Sequence, residues 1–207
     1  MKYLIMHGSY GSPEENWFRW LEKQLKESGH EVILEQFPVD DWDEVTKIGP
    51  EKISIFTPIQ SLSAWEDYFV KNILPRVKDE PFVFIGHSSA PIFMLHMLLK
   101  YSFNLAGAIF VAPFFDIPDR PPIWQFYPAN KTFYNYVFDF AKIKSQIGKS
   151  YVIYSDNDPY VPANQSPLFA EKLGSEKILV KDGGHCGSIF KEFPLLLDIL
   201  KLKENNL

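Results

Sequence analysis

Short apolar runs alternate with longer amphipathic stretches along this chain, and that alternation restricts its fold more than any other feature. Residues 2–6, 31–36, 82–85, 105–112, 151–154 and 177–180 read as strands. The stretch 14–28 carries Trp17, Trp20, Leu21 and Leu25 at helical spacing, and 62–77 carries Trp65, Phe69, Ile73 and Val77 along one face. Helices are also expected over 90–101, 163–173 and 190–202, with loop and a short helix over 37–59. Strands that are apolar throughout, rather than alternating, belong to a parallel sheet covered on both faces. The expectation is one α/β domain over residues 1–207, three layers deep, with a mostly parallel central sheet of about six strands.

Composition excludes several classes of function. The 207 residues are 46% hydrophobic, enough for a sizeable core. A net charge of -5 with scattered basic residues argues against a nucleic-acid partner. No run approaches the roughly 20 apolar residues that span a bilayer, so no membrane partner is expected. The apolar run before Gly8 is too short for a signal peptide. A cytoplasmic location is the simplest reading, and oligomeric state stays open. The one cysteine, Cys186, follows His185, but a single Cys-His pair is no metal site, and no metal or cofactor is expected.

A parallel sheet presents its chemistry at the carboxyl ends of its strands. The loops there read His7-Gly8-Ser9-Tyr10-Gly11, Gly86-His87-Ser88-Ser89-Ala90, Ser155-Asp156-Asn157-Asp158-Pro159 and Asp182-Gly183-Gly184-His185. Ser88 sits on a strand-to-helix turn of the pattern G-x-S-x-A, close to the nucleophile elbow G-x-S-x-G. Small residues two positions either side let the strand and helix backbones nearly touch. A serine hydroxyl is a weak nucleophile and needs a base within hydrogen-bond reach. That base, His185, needs an anion to fix its tautomer, and both Asp156 and Asp158 lie in the loop before it, with Asp116 a more distant candidate.

The order Ser88, Asp158, His185 is that of an α/β-hydrolase. Through HGSYGS, GHSSA, SDNDPYVP and GGHCG, the chain resembles the small serine-hydrolase family that includes retinoblastoma-binding protein 9. The resemblance implies a compact α/β-hydrolase that cleaves a small ester, thioester or amide through an acyl-enzyme on Ser88. It favours Asp158 over Asp156 as the acid, because the family's acid precedes a short turn ending in Val-Pro, here Val161-Pro162. It places the oxyanion-hole N–H groups on Ser89 and on Ser9, with Tyr10 as the alternative to Ser9. It also matches Trp17 to a family tryptophan that either supports the loop or touches substrate. The L-x-C-x-E motif for retinoblastoma protein is absent, so that partner is not carried over.

The substrate side is less defined. Residues 113–149 are dense in rings, among them Phe114, Trp124, Phe126, Tyr127, Phe133 and Tyr134. They form either a partial lid with an apolar acyl pocket, to which Tyr10 and Trp17 contribute, or a patch of core. A non-catalytic binding module on the same fold is the alternative function. A flavodoxin-like nucleotide binder ranks last, because no phosphate-binding glycine motif is present.

Overall fold

A computed structural model describes residues 1–48, 57–101, 103–117, 129–134 and 136–204. Six strands form one sheet: β1 (Lys2–Met6), β2 (Glu31–Leu34), β3 (Phe82–His87), β4 (Leu105–Val111), β5 (Ile147–Ser155) and β6 (Glu176–Val180). Their order is β2-β1-β3-β4-β5-β6, and every pairing is parallel. All six residues of β3 are buried, as expected of a central strand with both faces covered.

Side chains alternate along each strand and divide the core in two. Leu4, Met6, Phe82 and Phe84 face one layer, and Tyr3, Ile5, Val83 and Ile85 face the other. The first layer holds α3 (Leu62–Tyr68), a π turn (Phe69–Ile73), α4 (Leu74–Val77), α5 (Ala90–Lys100) and α7 (Gln165–Leu173). The second holds α1 (Phe18–Glu27) and α8 (Pro194–Glu204). This is an α/β-hydrolase fold. α5 is buried on all sides through Leu98, which explains why its sequence is apolar throughout.

The structure departs from the sequence reading in places with clear physical causes. The helix expected over 62–77 contains a π turn just before Pro75, whose missing N–H interrupts the regular ladder. β5 begins at Ile147 rather than 151, because Gly107 of β4 pairs with Lys149 through backbone groups that need no apolar side chain. The short helix α2 (Trp42–Val45) falls within the 37–59 stretch where one was expected, while α6 (Phe140–Lys144) was not anticipated, and both are set by caps rather than periodicity. The Asp41 and Asp139 carboxylates each accept a backbone N–H at 3.0 Å.

The strand order reverses between β1 and β3. The chain leaves β1 toward β2 on one side and leaves β3 toward β4 on the other. A crevice therefore opens at the carboxyl ends of β1 and β3, where ligands bind in sheets of this kind.

Candidate active site

Ser88 follows β3 directly and has φ 62°, a left-handed conformation that a residue with a Cβ adopts only under constraint. The constraint comes from both sides. Its N–H extends the sheet ladder to the Val111 carbonyl at 2.9 Å, and the next residue, Ser89, caps α5. A Cβ on Gly86 would lie 2.4 Å from the Phe84 ring, yet 3.3 Å from the Ala90 Cβ. The turn therefore needs glycine at 86 but accommodates the alanine that departs from the G-x-S-x-G pattern.

The loop after β1 rides directly on this turn. A Cβ on Gly8 would lie 2.5 Å from the Ser88 Cβ. Beneath the loop, His7 is fully buried and its Nε2 accepts the Phe37 N–H at 3.0 Å. Its proton must then sit on Nδ1, which donates to the Gly8 carbonyl at 2.8 Å. Burial, outweighing that bond, pushes the His7 pKa down to about 4, so the ring stays neutral. The Gly11 N–H donates to the same carbonyl at 3.2 Å. In a trans peptide the C=O and the next N–H point in opposite directions, so these two bonds orient the Ser9 N–H. The Tyr10 N–H is engaged by Gln60 Oε1 at 3.4 Å. Among the described residues, no group takes the Ser9 or Ser89 N–H.

His185 lies on the loop after β6, which bends through positive φ at Asp182, Gly184 and Cys186. Four hydrogen bonds hold that loop. The Asp156 carboxylate accepts the Asp182 N–H at 2.8 Å, and Asn157 Oδ1 accepts the Gly184 N–H at 2.7 Å. His87 Nε2 donates to the His185 carbonyl at 2.8 Å, and the Trp17 indole N–H donates to the Cys186 carbonyl at 2.9 Å. Burial, with help from the neighbouring His185, pushes the His87 pKa down to about 3 and keeps that ring a neutral donor.

The two candidate acids are thereby separated in space. Asp156 is turned toward the loop backbone, whereas Asp158 Oδ2 lies 2.8 Å from His185 Nδ1. The other Asp158 oxygen accepts the Tyr160 and Val161 N–H groups at 2.9 and 3.0 Å. Burial opposes the charge on Asp158, but these three donors outweigh it and hold the carboxyl below the usual carboxylate range. The Asp116 N–H donates to Gln165 Oε1, on α7, at 3.3 Å, and among the described residues it is Asp158 that His185 Nδ1 bonds.

Ser88 and His185 line one cavity of about 320 Å³, together with Gly8, Ser9, Tyr10, Trp42 and Tyr160. A second hollow of about 690 Å³ adjoins it and shares Tyr10 and Trp42. Tyr10 therefore does line the site. Trp17 and Phe114 are not among its lining residues: of the alternatives open for each, Trp17 takes the loop-supporting place and Phe114 the core. Trp17 is fully buried against Phe18 and Phe193, where its hydrogen bond supports the His185 loop. Phe114 is fully buried in the first core layer against Tyr134. Trp124, Phe126 and Tyr127 lie outside the described residues. Cys186 is buried, and burial and the Asp158 charge push its thiol up to about 12. Trp42 and Tyr160 were not anticipated: Trp42 opens the short helix α2, and Tyr160 lies within SDNDPYVP, a stretch read for its acid alone.

Comparison with known proteins gives a consistent picture. A family model described as serine hydrolase matches residues 60–201. The chain is similar to YdeN of Bacillus subtilis (strain 168), with 25% identity over 202 residues that cover 95% of this chain and 92% of the other. The crystal structure of the B. subtilis ydeN gene product superposes with a TM-score of 0.77 at 23% identity, covering 97% of this chain and 96% of that one. A methylesterase, MES16 from Arabidopsis, superposes with a TM-score of 0.64 at 13% identity, covering 100% and 99%. At these identities the two structures speak for the fold alone.

Proposed function

Because this chain belongs to the serine hydrolase family, we propose that it cleaves a small ester, thioester or amide through an acyl-enzyme on Ser88. The observation that carries this reading is the Asp158–His185 pair, 2.8 Å apart, with His185 lining the same cavity as a serine held at φ 62°.

In this mechanism His185 Nε2 takes the proton from Ser88 Oγ as that oxygen attacks the acyl carbon. Asp158 keeps the other ring proton on Nδ1 and stabilises the imidazolium that forms. The carbonyl oxygen becomes an oxyanion and is met by the Ser9 and Ser89 N–H groups, each such donor being worth about 3 kcal/mol in the transition state. His185 then returns its proton to the leaving alcohol, thiol or amine as the tetrahedral carbon collapses. Water, deprotonated by the same ring, attacks the acyl-enzyme, and Ser88 is regenerated.

A fluorophosphonate probe should label the protein on Ser88. The protein should also turn over p-nitrophenyl acetate and butyrate. A folded protein that takes up no probe and hydrolyses neither of these esters would defeat the reading.

The close fit of the loop after β1 gives a sharper expectation. Gly8→Ala would thrust a methyl group against Ser88 and push the loop away from it. Displacing a donor by about 1 Å costs on the order of 10²-fold in rate. Turnover of p-nitrophenyl acetate should fall by about that factor while the melting temperature changes little. Undiminished turnover would mean that the loop does not need this approach.

A further inference from the structure

Four segments that are distant in sequence meet in one buried polar cluster behind the loop after β1. Gln60, just before α3, is fully buried, and Asn130, after β4, is 1% exposed. The other two members are Ser9 and Ser89, whose N–H groups serve the reaction proposed above.

The hydrogen-bond inventory fixes the orientation of the Gln60 amide. Gln60 Oε1 accepts the Tyr10 N–H at 3.4 Å, so its Nε2 faces the other way. That nitrogen donates to Ser9 Oγ at 2.9 Å and to Asn130 Oδ1 at 3.2 Å. Ser9 Oγ lies 2.6 Å from Asn130 Oδ1 and 3.0 Å from the Ser89 hydroxyl. Ser9 Oγ accepts from Gln60 Nε2 and has one proton to give, either to Asn130 Oδ1, which can only accept, or to Ser89 Oγ. Asp40 fixes the Gln60 backbone in turn, accepting the Ile59 and Gln60 N–H groups at 2.9 and 3.1 Å. A buried polar cluster is costly when half satisfied, so one that is fully satisfied holds its members in a single geometry.

The members it holds are those that set the oxyanion site. Gln60 occupies the Tyr10 N–H, the competing donor, and holds the Ser9 hydroxyl that contacts Ser89. We infer that Gln60 is a positioning residue of the oxyanion hole, locking the Ser9–Tyr10 backbone against Ser89 so that the two donor N–H groups keep a fixed separation. The inference rests on the acyl-enzyme reading.

Gln60→Met keeps the side-chain length and removes both polar atoms. With p-nitrophenyl acetate its kcat should fall roughly 10–10²-fold, because the hole acts on the transition state. KM should stay within about twofold. The rate of fluorophosphonate labelling should fall in parallel. Ser9→Ala should lower kcat by a smaller factor, again at unchanged KM. The double variant should be about as slow as Gln60→Met alone, because both changes break one contact. A raised KM at full kcat, or losses that multiply in the double variant, would overturn the inference. If Gln60→Met does not fold, Ser9→Ala decides: a lowered kcat at unchanged KM supports the inference, and full kcat overturns it. A wild type that labels and turns over normally beside a fully active Gln60→Met defeats this inference alone. A wild type that does neither defeats the acyl-enzyme reading with it.

Discussion

Ser88→Ala should remain folded, take up no fluorophosphonate, and hydrolyse p-nitrophenyl acetate about 10³-fold or more slowly than the wild type. Alanine retains the Cβ that serine already carries at φ 62°, so the backbone of the turn is under the same constraint in both proteins. The Val111 carbonyl still receives the residue 88 N–H, and the sheet edge of the turn is unchanged. Loss of labelling in a protein with a wild-type melting curve therefore isolates the hydroxyl. Labelling that persists in the variant would assign the nucleophile elsewhere.

The second large effect should distinguish two neighbouring carboxylates. In Asp158→Asn one side-chain atom must still accept the Tyr160 and Val161 N–H groups, and only the amide oxygen can do so. The NH2 group is then turned toward His185 Nδ1. Facing a donor, Nδ1 gives up its proton, and the ring carries it on Nε2. That is the wrong tautomer for taking a proton from Ser88, and turnover should fall by about 10⁴-fold. In Asp156→Asn the amide oxygen can accept the Asp182 N–H as the carboxylate does, so turnover should change by less than about threefold. Melting curves and kcat for the two variants test this directly. Equal effects, or the larger effect at Asp156, would move the acid.

The fold was legible because burial imprints itself on composition. Strands covered on both faces must be apolar at every position, and α5, enclosed by the sheet and its neighbours, must be apolar all round. The loops at strand ends were legible because sharp turns demand small residues, as at Gly86. What escaped the sequence is held by contacts without periodicity. Gln60 stands beside the helix-capping Ser61 and reads as ordinary helix-entry polarity. Its partners lie 51 and 70 residues away, so nothing local marks it. Trp17 stayed open between two roles for a related reason: a tryptophan near such a loop has the same sequence signature whether it faces a ligand or, as here, a backbone carbonyl behind the loop. The rings of Phe114 and Tyr134 were equally ambiguous, because pockets and cores draw on the same residues.

The left-handed backbone at Ser88 also bears on how sequences of this kind diverge. A non-glycine residue there costs on the order of 1 kcal/mol that glycine would avoid. That is a sizeable fraction of the few kcal/mol separating a folded domain from an unfolded one. Every generation that keeps serine at this position therefore keeps a backbone strain that glycine would relieve. In a lineage that no longer needs the hydroxyl, drift toward glycine at position 88 would be favoured by stability alone. The elbow would then be the first part of the site to decay, while His185 and Asp158, held by unstrained hydrogen bonds, would linger in the sequence long after the chemistry had gone.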